Sequence, residues 1–420
     1  MLADALVVGA GSAGCVVAER LSRSRSVLLV EAGPVVPMGA DVRRLDRMAL
    51  GAVGAPSPFA RWYSQSPPVV RGRAVGGSAL INGGYFLRAH RADVEGWGRP
   101  FTMAAIESAY HELDGGGVGG SMSVGRLRDR EISPFVLAVE AMWSRAPVGP
   151  WPGLGAQRVP VNRRAGQRWT AADAYLLPAI ERSSLQLRAE SRATILLVEN
   201  GQVVGVRLDS GEELRAGEVI VCAGTLGTTE LLLASGVVGG SLPVYEHREV
   251  LVRYAGREPA PRSAVLLPSV VHTAEGAEIR CYADDLAQFI PEVPASMPAI
   301  GVGQMRPAQS GRLGWDGSRL AIELAPIDSV GGAVDQVVEA LSSTALARFV
   351  IDGSVRVDPI VGTSQHAWGS LAMGERTDWL GAVDGVPGLR VIDGSILPNV
   401  SSGPHATIMM AAVVISDALA

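Results

Sequence analysis

The chain has 420 residues, more than one typical core holds, so two domains are expected. It is 47% hydrophobic and 19% charged with a net charge of −5, which gives no general electrostatic reason to bind nucleic acid. All 37 basic residues are arginine, which excludes a pyridoxal phosphate Schiff base and a Walker A loop, since both need a lysine amine.

Residues 5–14 read ALVVGAGSAG, an apolar strand breaking into Gly9, Gly11 and Gly14, and a helix is expected over 15–21. A second apolar strand, 27–30, ends in the acid Glu31 followed by Ala32. Each piece has a job in a dinucleotide site. Gly9 permits the turn, Gly11 lets backbone approach a pyrophosphate, and Gly14 lets the helix pack on the sheet. Backbone N–H groups at Ser12 and Ala13 open the helix and meet the phosphate charge. Glu31 can accept from both ribose hydroxyls. An ordinary glycine-rich turn would leave Glu31 without a role, and the motif alone does not separate FAD from NAD.

Residues 34–68 read as loop with one helix at 42–49. In 71–98, glycine pairs Gly76–Gly77 and Gly83–Gly84 bracket small residues, with Ser78 and Asn82 as hydrogen-bonding groups and Tyr85 following. That pattern fits backbone pressed against a flat ligand, or a glycine-rich loop with none. Helices are expected at 101–113, 134–143 and 171–181, a flexible run at 115–120, and loop at 151–169. Stretches 193–198, 203–208 and 218–223 form a β-meander signal starting at Ala193. It ends in a second strand, a small-residue turn at Ala223–Gly224 and an apolar helix reaching 237. Residues 242–361 hold short β-like runs, such as 250–254, 263–267 and 319–324, and a helix is expected at 334–350. They read as a second, sheet-based domain.

Near the C-terminus, RVID ends a strand in Asp393, with Gly394 next. Ser401, Ser402, Gly403 and Pro404 form a helix-start signal, placing His405 at the N-terminus of a last helix, 406–419. A helix N-terminus lowers an imidazole's pKa and favours nearby anions. His366 sits in the glycine-dense SQHAWGSLAMG. Imidazole suits proton removal from an alcohol near neutral pH. His90, His111, His247 and His272 lack such settings and read as structural or solvated, His90 being the least settled. Cys15, Cys222 and Cys281 are widely spaced and read as reduced thiols, with no cluster that implies a metal. The N-terminal apolar run belongs to the nucleotide strand rather than to a signal peptide, and the run 406–415 is too short to span a bilayer. A cytoplasmic protein is expected, with contact to a membrane surface left open.

The order of these motifs resembles the glucose–methanol–choline (GMC) oxidoreductases, FAD enzymes that oxidise alcohols. GAGSAG with Glu31 is similar to the family's ADP site, RAVGGSALINGG to its flavin loop and VCAGTLGTTELLLASGV to its second signature. HAWGSLAMG and GLRVIDGSILP are similar to its C-terminal motifs. The resemblance implies an α/β chain: a Rossmann-like FAD-binding domain of the GMC and glutathione-reductase type, with an α+β substrate domain built on an antiparallel sheet. The first would be discontinuous, 1–85, 151–241 and 366–420, and the second 86–150 and 242–365. It implies His366 as base and His405 as its partner. Gly77, Ser78, Asn82, Gly83, Gly84 and Tyr85 would contact the flavin, Asp393 and Gly394 the pyrophosphate and ribityl chain, and Ala193 the adenine. Ala223, Gly224 and Ala406 complete the implied cofactor contacts.

Some relatives carry a histidine bonded covalently to FAD where this chain has Ile81, so non-covalent FAD is expected. The His366 motif departs at Ala367, Leu371 and Ala372, where Pro, Cys and Arg are common. INGGYFLR, GAEIRCY, TSQHAWGSLAMG and SILPNVSSGPHATI resemble the mycofactocin-associated members. Those would reoxidise the reduced redox cofactor mycofactocin and pass electrons to a respiratory acceptor. An oxidase making peroxide from a small or aryl alcohol, and a flavin-binding module without activity, are the alternatives.

Overall fold

The computed structural model describes residues 2–48, 50–52, 55–63, 65, 67–147, 149–258, 263–290, 293–328 and 330–420. In chain order, β1 (Ala3–Val8), α1 (Ser12–Leu21) and β2 (Val27–Val30) form the opening unit. The helix α2 (Met103–Asp114) follows, then β3 (Gly155–Arg158) and β4 (Leu185–Arg188). The meander is β5 (Ala193–Glu199), β6 (Gln202–Leu208) and β7 (Glu213–Val221), leading into α3 (Gly224–Ala234). Next come β8 (Arg248–Arg253), β9 (Ser269–His272), β10 (Ala277–Cys281), β11 (Ala299–Gln304) and α4 (Gly331–Leu341). The last elements are β12 (Leu389–Val391) and α5 (His405–Leu419).

Two seven-stranded sheets organise the described residues. The first runs β4-β2-β1-β7-β6-β5, with β12 also paired to β7. β7 changes partner type along its length. Residues 213–215 pair antiparallel with β6, while 216–221 pair parallel with β1 and 219–221 parallel with β12. Its end is buried on both faces, as a parallel strand between helices must be: Val219, Ile220 and Val221 are 0% exposed. α1 packs on α5 and α2 on α5, joining the chain's two ends in one core. Val16, Val17, Leu21, Met409, Met410 and Ile415 are fully buried there, each large one contributing roughly 1.5–3 kcal/mol.

The second sheet is antiparallel, Arg356–Val357 beside β8, then β11-β10-β9-β3, with Gly362–Thr363 on the other part of β8. Period-2 alternation explains β10: Ala277, Ile279 and Cys281 share one face, Glu278 and Arg280 the other. β11 supplies glycine at the matching positions. A Cβ at Gly301 would lie 1.9 Å from Glu249 Oε1, and one at Gly303 would lie 3.1 Å from Arg280 Cζ. These absent side chains leave room for a buried ionic layer.

Several expectations are corrected. The stretch 151–169 is not loop: besides β3 it holds Pro160–Arg164 and Gln167–Arg168, paired in a small sheet with Val124–Arg126. β3 pairs with β9 in the second sheet, although 151–241 was assigned to the nucleotide unit, and α2 lies in the first core although 86–150 was assigned to the other. The run 263–267 is bent rather than extended, because the Ser263 hydroxyl bonds both the N–H and the carbonyl of Val265. The helix expected at 334–350 is α4, which ends at Leu341. The helix expected at 42–49 is a 3-10 turn, Asp41–Arg43, and Ala49 lies outside the described residues. Instead of a flexible 115–120 run, Gly115 closes α2 at φ +64, and Asp114 accepts from the Gly116 and Gly117 N–H groups.

Candidate active site

The turn from β1 to α1 is built as the glycines demand. Gly9 has φ +101, and a Cβ there would meet Cys222 O at 2.6 Å. A Cβ at Gly14 would lie 1.8 Å from Gly9 O, so only glycine lets the helix start this close to the turn. No side chain caps the N-terminal end of α1, where Ser12 and Ala13 begin the helix. Gly77, at φ +59, brings the glycine loop against this turn, since its Cβ would lie 2.7 Å from Gly11 Cα. Gly11 therefore faces the loop as well as the open side.

Glu31 closes the turn from β2. Its Oε2 accepts from the Ala10 N–H and its Oε1 from the Gly33 N–H, both at 2.9 Å. Burial outweighs those bonds and raises its pKa to about 7. Gly9, Glu31, Ala32, Ala193 and Ala223 line one cavity of about 450 Å3. Arg61, Arg192, Glu230 and Trp315 line it too, and of these only Glu230 lies in one of the sequence motifs. Glu230 holds both arginines, at 2.6 Å from Arg61 and 3.3 Å from Arg192. Arg192 directly precedes Ala193, a local signal that could have found it.

The remaining expected cofactor residues fall into two groups. In the glycine loop, Ser78 Oγ accepts from the Gly72 N–H, and Asn82 Oδ1 from the Gly84 N–H at 2.9 Å. Gly84 needs its φ of +74, and Gly83 precedes it against Leu266. Tyr85 is turned to the second sheet, where its hydroxyl donates to Glu278 at 2.8 Å. Asp393 ties the C-terminal motif to α3. Its Oδ2 accepts from the Gly224 N–H and the Thr228 hydroxyl, and its Oδ1 from the Ser395 N–H. Gly394 has no room for a side chain, because a Cβ would lie 2.8 Å from Thr225 Oγ1. Ala406 is fully buried in the first turn of α5.

His366 is gripped by three consecutive residues. Tyr245 and Trp368 exchange backbone hydrogen bonds, the Glu246 carboxylate accepts from the His366 N–H at 2.8 and 3.0 Å, and His247 Nδ1 lies 2.9 Å from His366 Nδ1. His247 was expected to be structural or solvated. It is fully buried and in ring contact with the base candidate, a placement that no local motif foretold. Its other nitrogen, Nε2, bonds Val400 O at 2.9 Å, on the turn that leads into His405. His405 packs edge-on against Phe86, and neither of its ring nitrogens makes a hydrogen bond of good geometry. Burial lowers its pKa to about 4. His366 keeps part of its surface accessible. The protein packed around it, then His247 and Arg280, still hold its pKa well below the ordinary value.

Beside this pair lies the ionic layer. Arg280 is 2.8 Å from Glu278 and 3.2 Å from Glu249, and it donates to Ser364 Oγ, two residues before His366. His272 Nε2 donates to Glu278 at 2.8 Å, and the His90 ring packs on the His272 ring at 4.6 Å.

Residues 3–244 match the N-terminal GMC oxidoreductase family model, and residues 333–412 match the C-terminal one. The chain belongs to the GMC oxidoreductases. This GMC oxidoreductase is 30% identical to an uncharacterized GMC-type oxidoreductase of Rhodococcus erythropolis, over 98% of this chain and 97% of that one. It is 32% identical to an alcohol dehydrogenase [acceptor] of Pseudomonas putida, in a match covering 59% of this chain and 50% of that enzyme. Its fold matches the crystal structure of pyridoxine 4-oxidase from Mesorbium loti with a TM-score of 0.85 at 24% identity, over 99% and 98% of the two chains. Among the described residues no helix is long and apolar enough to cross a membrane, and no group of His, Cys, Asp and Glu is placed to hold a metal.

Proposed function

We propose that this GMC oxidoreductase holds FAD non-covalently and oxidises a CH–OH group, with His366 as the base. The carrying observation is that the base and the nucleotide cradle share one hydrogen bond. Thr225, two residues past cavity-lining Ala223, donates to Ala367 O at 2.8 Å, next to His366. The cradle fits such a cofactor: a nucleotide-sized cavity, glycines that let the turn, the helix and the loop pack closely beside it, an uncapped helix start and a carboxylate at the ribose position. Gly9, Gly11, Ser12, Ala13 and Gly14 would hold the pyrophosphate, with Asp393 and Gly394. Glu31 and Ala32 would hold the ribose, and Ala193, Ala223 and Gly224 the adenine side. Gly77, Ser78, Asn82, Gly83, Gly84 and Ala406 would surround the ring system, with Tyr85 backbone beside them. Ile81, a buried hydrocarbon, offers no atom for a covalent link.

Bound there, FAD would supply the acceptor for the hydride that leaves the carbinol carbon. The chain's own task is to take the hydroxyl proton. His366 is held neutral and so can accept it, and His405, also neutral, supplies a second imidazole for the hydroxyl. The substrate in this reading is reduced mycofactocin, on the segments that resemble the mycofactocin-associated members, and the electrons leave to a respiratory carrier. The Pseudomonas putida relative is named for an acceptor, which fits a carrier. The three cysteines are free, buried thiols, which fits work in the cytoplasm. The test is to bleach the flavin anaerobically with candidate alcohols, then add air or a quinone. Reoxidation by quinone should be fast and by air slow. Fast reaction with air would overturn the dehydrogenase reading in favour of an oxidase.

A further inference from the structure

We propose that His247 is a positioning residue that fixes His366 as its Nδ1–H tautomer and so leaves His366 Nε2 as the proton-accepting nitrogen. This rests on the reading of His366 as base and adds which atom acts and what selects it.

A backbone carbonyl can only accept, so the 2.9 Å contact from His247 Nε2 to Val400 O requires a proton on that Nε2. His247 is 0% exposed, and burial holds its pKa at about 4, so the ring is neutral and has one proton only. Its Nδ1 is therefore a lone pair. That lone pair lies 2.9 Å from His366 Nδ1. Two lone pairs at this distance would repel, so the contact is a hydrogen bond only if His366 Nδ1 carries the proton. His366, itself neutral, then has Nε2 free, and the alcohol's O–H bond breaks as an Nε2–H bond forms.

The geometry leaves His247 little freedom to do otherwise. The rings stand at 90° with centroids 5.1 Å apart, and Trp368 packs on the His247 ring at 4.4 Å. Ser364 N donates to His247 O at 2.9 Å, and the Glu246 carboxylate holds the His366 backbone. Glu278, Arg280 and Arg71 also act on the His366 ring through charge, but His247 is the side chain that bonds it.

The test uses the FAD-loaded protein with 15N-labelled histidine, the His366 signals being identified by their loss in His366→Asn. In the wild type, His366 should show a protonated Nδ1 and an unprotonated Nε2. His247→Leu removes the acceptor and should shift His366 toward the Nε2–H form, with anaerobic flavin reduction slowed about 10²-fold, at the low end of what a general base contributes. His247→Asn puts an amide oxygen near the Nδ1 position and should restore both the tautomer and a rate within about tenfold of wild type. If wild-type His366 carries its proton on Nε2, the proposal fails, whether or not His247→Leu folds. It also fails if His247→Leu keeps the wild-type tautomer and rate. A His366→Ala variant reduced at the wild-type rate would instead overturn the base assignment, a separate result.

Discussion

Replacing Glu31 with glutamine probes the nucleotide cradle with two linked readouts. The carboxylate accepts from the Ala10 and Gly33 N–H groups at 2.9 Å, yet burial raises its pKa to about 7. Glutamine keeps one acceptor oxygen and turns a donor NH2 toward the other N–H. Losing one charge-assisted bond costs about 1.5–3 kcal/mol. At pH 8 that corresponds to FAD binding weaker by roughly 10- to 100-fold. The second readout is pH. If the ribose hydroxyls need the ionised carboxylate, wild-type affinity should fall about tenfold for each pH unit below 7, at roughly 1.4 kcal/mol per unit. Glu31→Gln should lose that slope, so the two proteins converge near pH 5.5. For the FAD-free protein the sign is opposite. The folded pKa is raised, so the contribution to stability is full below about pH 4.5 and lost as pH rises through about 7. Titrating the FAD-free protein with FAD, by flavin fluorescence between pH 5.5 and 8.5, measures the affinities and their slopes, and urea unfolding over the same range measures the stability. Equal affinities and equal slopes in the two proteins would refute the role given to Glu31.

Gly14→Ala would place a Cβ 1.8 Å from Gly9 O, so the β1–α1 turn must open. Overpacking of this kind costs about 1–3 kcal/mol, and purified protein should lose its yellow colour on gel filtration where wild type keeps it. Arg280→Leu would leave Glu278 and Glu249 buried without their partner, at 2.8 and 3.2 Å in the native layer. Breaking such a pair costs roughly 3–5 kcal/mol, seen as a lower midpoint in urea, and an unchanged midpoint would show that the layer is not ionised as drawn.

How much of this was legible in the sequence depended on the range of the contacts. The opening unit was, because Gly9, Gly14 and Glu31 each satisfy a demand set within about two dozen residues. The meander and the final helix were legible for the same reason. The second sheet was announced as β-rich, but its pairings were not. β3 finds β9 more than a hundred residues later, and Pro160–Arg164 pairs back to Val124–Arg126, so nothing local marked 151–169 as extended. Nothing local marks Arg280 and Glu249, because the spaces at Gly301 and Gly303 that bury them belong to a third strand. His247 was passed over because nothing in YEHREV marks it. Its importance comes from the Tyr245–Trp368 backbone exchange, which brings that strand start alongside the C-terminal motif.

Removal of the substrate's proton by His366 is the central step, and one measurement addresses it directly. His366→Ala should keep its FAD, since no part of the cavity lining is touched. Mixed anaerobically with an alcohol that bleaches the wild type, its flavin should be reduced about 10²- to 10⁴-fold more slowly. Bleaching at the wild-type rate, with FAD retained, would contradict the assignment.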